Sequence, residues 1–301
     1  MTPHSPRTQD RPQDARSGFF REGPCKDECY RLIRDEERLA PFREDVEALW
    51  RRSREFVEEG LPDRACYEFH ACFWEMHLAA SLLAHVSLVP TKKRKFRSRG
   101  PDFQVGNIDA WIEAIVATPG EGENRVLEGV PGVVRSVPDD GIKLRLLNTL
   151  ASKHGKYKEY IENGVVSPGE PFVVAVNGAL VPSARLEQEV PRIVRALYPV
   201  GPMAIPVNPR TNEWGEPYYT YMGDVAKASG ALVSNRAFLD DDLSGISAVL
   251  YSVADALNPG HGLVCVHNKM ARNPLPHGFI SSGVEYIPMG DEQLRAVRHS
   301  T

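Results

Sequence analysis

Residues 101–116 read PDFQVGNIDAWIEAIV, and this stretch decides the fold. Two short apolar segments, PDFQV and AWIEAIVA, have the β-branched and aromatic content of strands. Each carries a carboxylate where a strand bordered by water would not need one. Asp102 opens the first strand directly after Gly100-Pro101. Glu113 stands in the middle of the second, between Ile112 and Ala114, in a run too apolar for a solvated surface. Working outward, a short VSLVP strand precedes the pair. Before it lies DRACYEFHACFWEMHLAASLLAHV, helical and apolar almost all round, which predicts a buried helix. Downstream, residues 139–163 read as an amphipathic helix with Asp139 or Asp140 near its N-cap. PFVVAVNGA then has the continuous β-branched run of a central strand. The order is helix, three strands, helix, strand, an α/β core spanning residues 62–178.

The flanks are simpler. Residues 1–24 are rich in Pro, Arg, Asp, Gln and Ser and predict a disordered tail. Residues 25–61 predict a surface helix pair broken near Pro41. Residues 179–301 predict an α/β extension of the same sheet: a helix SARLEQEVPRIVRALY, a Pro- and Tyr-rich linker over 201–221, and strands ISAVLYSV, LVCVH and VEYIP. With 42% hydrophobic and 25% charged residues in 301, the composition is that of a globular protein and excludes wholesale disorder, a collagen-like repeat and a membrane-embedded architecture. Lys plus Arg number 36 against 40 Asp plus Glu, a net charge of -4, so a polyanion partner must be met by a local basic patch. Five scattered cysteines predict no disulfide scaffold and a reducing, cytoplasmic setting. Neither a signal-peptide core nor a long uncharged apolar run is visible.

The carboxylates suggest chemistry. Glu75 lies on the buried helix, where an ionised side chain is costly unless paired or metal-bound. Glu68, seven residues earlier, extends a carboxylate stripe. Hard oxygen ligands from a helix and two neighbouring strands suit Mg²⁺ or Mn²⁺. Gly-Pro-Asp-Phe, then an apolar strand with an embedded Glu, preceded by a helix with WE-x-HLAA-x-LL, resembles the PD-(D/E)XK nuclease superfamily. The resemblance implies a restriction-endonuclease-like αβββαβ core with a central mixed sheet flanked by helices. It also implies that Asp102 and Glu113 hold a catalytic divalent ion, with Glu75 as a further ligand or water-orienting group. The sequence departs from that pattern at one place: Glu113 is followed by Ala114-Ile115 and not by x-Lys. The resemblance allows a basic residue from the following helix instead. Lys153 is the choice there, because Leu146 and Leu150 place it on the core-facing side; Arg145 and Lys156 are its neighbours. In the structural alternative Asp102 is a turn residue, Glu113 pairs with a helix cation and Glu75 is satisfied by a buried arginine.

The run Lys92, Lys93, Arg94, Lys95, Arg97 and Arg99, with Phe96 among them, supplies the local basic patch and joins Arg145 and Lys156 as candidate nucleic-acid contacts. The expected function is a Mg²⁺-dependent nuclease acting on DNA, with RNA as a second substrate, no membrane and room for a homodimer. The alternative is a catalytically silent relative that binds nucleic acid or protein. Cys66, His70 and His77 fall on one side of the buried helix, either as soft ligands or as packed core. His267, at the end of a buried strand, is either a general base or a histidine satisfied by backbone. The glycines of 118–132 lack a following Lys-Ser or Lys-Thr, so no phosphate loop is expected.

Overall fold

A computed structural model describes residues 18–96, 99–290 and 293–299. In chain order the helices are α1 (Glu28–Asp35), α2 (Ala40–Ser53), α3 (Leu61–Leu82), α4 (Asp139–Glu162) and α5 (Arg192–Leu197). The strands are β1 (Phe103–Val105), β2 (Ala110–Val116), β3 (Phe172–Asn177), β4 (Val200–Ala204), β5 (Tyr218–Tyr221), β6 (Val225–Ala226), β7 (Leu232–Val233), β8 (Ala248–Ser252), β9 (Val264–His267), β10 (Gly283–Pro288) and β11 (Leu294–His299). Seven strands make one mixed sheet in the order β1-β2-β3-β8-β9-β10-β11. β1 and β2 are antiparallel, while β2, β3 and β8 run parallel to one another. The crossover from β2 to β3 passes through α4. The strands after residue 178 thus extend the sheet begun by residues 103–116.

Side chains alternate between the faces of a strand, and the two faces have different covers. Ile112, Val173, Ala175, Ala248, Leu250 and Cys265 pack beneath α1, α2 and α3 with Phe19, Phe69 and Trp74. Trp74 closes that contact by donating its indole N–H to the Ala175 carbonyl at 3.1 Å. Trp111, Val174, Val176, Val249 and Val266 face α4 and α5. α4 meets them with Ile142, Leu146, Leu150 and Tyr157, a stripe at helical spacing; each buried leucine there contributes about 2 kcal/mol. Asp139 in the first turn of α4 accepts from Arg192 and Arg195 of α5 at 2.9 Å, which fixes the end of the helix against its neighbour.

Several elements differ from the sequence expectation. VSLVP is not a strand; Leu88 alone makes an isolated bridge to Val105. The break near Pro41 falls earlier, at Glu36–Leu39, and Pro41 sits in the first turn of α2, where its missing N–H costs nothing. The helix drawn over SARLEQEVPRIVRALY is confined to Arg192–Leu197, starting behind Pro191. Residues 201–221 hold the antiparallel pair β4–β5, and β11 was not anticipated. Glu68 has non-helical angles (φ -139°, ψ 52°), a kink in α3 that leaves it exposed and ends the proposed carboxylate stripe. Cys25 and Cys66 form a disulfide, which departs from the reducing setting expected and removes Cys66 as a soft metal ligand. The disordered-tail expectation for residues 1–17 lies outside the described residues. No helix among the described residues is long and apolar enough to cross a membrane.

Candidate functional site

The register Phe103↔Ile112, carried one residue further, sets Asp102 opposite Glu113 on the α4 face of the sheet. Residues facing one another in an antiparallel pair have Cβ atoms about 5 Å apart. The main chain fixes Asp102: its Oδ2 accepts the Ala114 N–H at 2.7 Å. Glu113 is 1% exposed. Its Oε1 accepts from Lys153 Nζ and Lys156 Nζ, each at 2.7 Å, and its Oε2 accepts from the Tyr160 hydroxyl at 3.1 Å. Lys153, Lys156 and Tyr160 are three and four residues apart on α4, so one helix face delivers all three. Glu75 of α3 is held by the Arg64 guanidinium.

Both ion pairs of the structural alternative are therefore present, Glu113 with helix cations and Glu75 with an arginine, although Arg64 is partly exposed and not the buried arginine expected. The electrostatics nevertheless set Asp102 and Glu75 apart from ordinary ion-pair carboxylates. Burial and then the Glu113 charge push Asp102 up to about 6, against the Ala114 hydrogen bond and the two lysines. Burial and then the Asp102 charge push Glu75 up to about 8, against Arg64. A carboxylate has roughly four acceptor positions. Glu113 has filled three, whereas Asp102 and Glu75 have filled one each. Charge that the protein leaves uncompensated, with oxygen acceptors to spare, fits a hard divalent cation. The convergence expected of all three is looser than foreseen. Among the described residues, the group of three ligands whose donor atoms all lie within 4.8 Å of one another is Cys265, His267 and Glu285, and not the carboxylate trio.

The basic residues divide. Lys153 and Lys156 reach Glu113. Arg99 and Lys156 line an open groove of about 600 Å³ with Phe96 and Tyr160, next to the Glu113 cluster. Lys92, Lys93 and Lys95 are exposed but do not line that groove. Arg94 departs from the expected role: it is 7% exposed, and its guanidinium donates to the carbonyls of Val89 at 3.2 Å, Asp102 and Phe56. Burial drops its pKa to about 10. It pins the loop before β1 and offers nothing to a phosphate. Arg145 also turns away, donating to the Thr118 carbonyl at 3.0 Å and lying where a Cβ on Gly120 (φ +84°) would sit. Arg97 lies outside the described residues.

Two features escaped the sequence reading. Tyr160 carried no motif; only its place one turn after Lys156 marked it. His267 has a carboxylate partner in place of a backbone one, Glu285 Oε1 at 2.7 Å. The signal was available, because Glu285 is embedded in the apolar run VEYIP as Glu113 is in WIEAIV. His70 and His77 do not join a metal site: His70 bonds Asn177 Oδ1 at 3.0 Å, and burial lowers His77 to about 4 between Phe73 and Trp74. Compared with family models, curated proteins and solved structures, the chain has no match.

Proposed function

We propose that the chain is a metal-dependent nuclease of the PD-(D/E)XK kind, hydrolysing phosphodiester bonds in DNA, with the missing strand lysine supplied by Lys153 of α4. The observation that carries this reading is the 2.7 Å contact between Lys153 Nζ and Glu113 Oε1, one ladder position from Asp102. It is supported by the chain order α3, β1–β2 hairpin, α4, β3, with β2 and β3 parallel across the α4 crossover.

The residues divide the work as follows. Asp102, oriented by the Ala114 N–H, and Glu113, oriented by Tyr160, would hold the divalent ion. When bound, Mg²⁺ or Mn²⁺ supplies Lewis-acid stabilisation of the phosphoryl oxygens and a more acidic water. Glu75, its proton affinity raised by burial, would serve as a further ligand or orient water at the site. The Lys153 ammonium stands where negative charge develops on the phosphate, the usual use of a preorganised cation. Arg99 and Lys156 attract the polyanion into the groove, and Phe96 offers a ring to an unstacked base. One specific observation favours the silent alternative: Lys153, Lys156 and Tyr160 already occupy three acceptor positions of Glu113. A metal-holding Glu113 must share Oε1 with fewer than two lysines.

The test is to incubate the chain with linear, supercoiled and single-stranded DNA and with RNA, in Mg²⁺ and in Mn²⁺, beside Asp102→Asn, Glu113→Gln and Lys153→Met. Cleavage by the wild type that both carboxylate variants lose supports the reading. Cleavage that survives both substitutions overturns it, and clean binding without cleavage in either metal assigns the chain to the silent class.

A further inference from the structure

On the opposite face of the sheet from Glu113, three other potential ligands meet. Cys265 and His267 are two apart on β9, so both project to the same side. Glu285 stands directly across from Cys265 in the parallel β9–β10 register. The Cys265 sulfur, a His267 nitrogen and a Glu285 carboxylate oxygen lie within 4.8 Å of one another, and the residues are 0%, 4% and 1% exposed. His267 Nε2 is the shared vertex, 2.7 Å from Glu285 Oε1 and 3.8 Å from Cys265 Sγ. From β11, His299 brings its Nε2 to 3.4 Å from Glu285 Oε2. His299 pairs with Gly283, two residues before Glu285, so it projects to this face as well.

We infer that Cys265, His267, Glu285 and His299 form a zinc site that ties β9, β10 and β11 together. The donor set is one sulfur, two imidazoles and a carboxylate. Thiolate with imidazole selects a borderline metal such as Zn²⁺ and not the hard ions suited to Asp102 and Glu113. Cys265, His267 and Glu285 supply three ligands already gathered within 4.8 Å; His299, which approaches only Glu285 Oε2, would have to swing in as the fourth to close the sphere as in structural zinc sites. Around a tetrahedral ion with bonds of 2.0–2.3 Å, neighbouring ligand atoms are about 3.3–3.7 Å apart. The sulfur–nitrogen separation of 3.8 Å is close to that edge, and the nitrogen–oxygen contact of 2.7 Å, a hydrogen bond without the metal, has to open by about 0.6 Å.

The surroundings suit an oriented ligand shell. All four ligands stand on strands, whose positions the sheet fixes. Glu285 also accepts the Gly278 N–H at 2.9 Å and the Phe279 N–H at 3.4 Å, which hold its carboxylate as outer hydrogen bonds hold a metal-bound carboxylate. The Tyr198 hydroxyl donates to the His267 carbonyl at 2.6 Å, anchoring that end of β9. On zinc binding the Cys265 thiol gives up its proton to solvent and both histidines bind as neutral imidazoles, so uptake releases protons. The site lies three strands from Glu113 in sheet order, about 14 Å across the ladder, and does not depend on the nuclease reading.

The experiment is metal analysis of the full, tag-free chain, followed by chelation and reconstitution with Zn²⁺ or Co²⁺. One zinc per chain is expected. Cobalt should give the intense visible bands of a tetrahedral ion and a thiolate charge-transfer band in the near ultraviolet. Cys265→Ser should abolish the charge-transfer band. His299→Ala, a change at a partly exposed residue that leaves the core intact, should weaken zinc binding about 10–100-fold. Reconstituted wild-type chain holding well under one equivalent overturns the proposal. So does a full equivalent whose cobalt spectrum and affinity are indifferent to both substitutions.

Discussion

Glu113 and Glu285 are the same residue type in the same sheet, each 1% exposed and each in mid-strand, yet they are neutralised by opposite means. Glu113 draws two lysine ammoniums and a tyrosine hydroxyl from a helix laid across its face. Glu285 draws two imidazoles and two backbone N–H groups from neighbouring strands and a turn. Those partners move its pKa in a definite direction: burial alone would raise it, but the bonds from His267 and the Gly278 N–H bring it down to about 2. The contrast teaches what each node can do. Ammonium groups have no lone pair, so the lysines of the Glu113 cluster can meet negative charge but cannot themselves bind a metal, which is left to the carboxylates. Imidazole and thiol have lone pairs, so the Glu285 cluster can bind a soft cation directly.

On the proposed nuclease reading, the largest expected effect falls on chemistry at the Glu113 node. Asp102→Asn or Glu113→Gln should take Mg²⁺-dependent cleavage below detection, and Lys153→Met should slow single-turnover cleavage about 100-fold. Substitution at Cys265 should leave the cleaved-phosphate chemistry in place. Next comes stability. Glu113→Ala strands two ammonium groups, one of them only 15% exposed. Denaturant unfolding should show a loss of about 3 kcal/mol. The triple replacement Glu113→Leu, Lys153→Met, Lys156→Met should recover most of it, and failure to recover would mean that the cluster shapes the fold beyond its charge balance.

The two nodes should also part in their response to pH. Glu75 and Asp102 have folded-state pKa values raised to about 8 and about 6. Between about pH 4.5 and 8 the folded metal-free chain then holds more protons than the unfolded one, so its stability falls as pH rises, on the order of 2 kcal/mol. Thermal melts in chelator should show this decline; Glu75→Gln or added Mg²⁺ should flatten it. Glu285 has the opposite sign. Its contribution is complete above its unfolded value near 4.5 and is lost as pH falls towards 2, so Glu285→Gln should soften the acid limb alone. The smallest effect separates the groove from the loop behind it. Arg99→Ala should lower the slope of log affinity against log salt for DNA by about one, whereas Arg94→Gln should leave that slope unchanged while costing stability.

Much of the fold was legible because local patterns are dictated by near neighbours in the chain. The apolar run around Glu113, the all-round apolar α3 and the stripe on α4 each announced a buried element. What failed were short segments whose state depends on a partner. VSLVP has strand composition, but only Leu88 finds a ladder position, and SARLEQEV loses its helix to the constraints of Pro191 and the loop packed against β8. The basic run shows the same limit at a site: its charges look alike in sequence, yet Arg94 is spent on three carbonyls while Arg99 opens onto the groove.

The sequence by itself determined that Glu75 and Glu113 must be buried with a charge; Glu285, in the apolar run VEYIP, went unmarked. It also determined that the strand lysine expected after Glu113 is missing. Only the tertiary structure decided who neutralises those charges. Lys153, Lys156 and Tyr160 lie 40, 43 and 47 residues from Glu113, and Glu285 lies 18 from His267. Partners at such separations are chosen by which strands become neighbours and which helix crosses them, and that choice is made by the burial of the whole sheet.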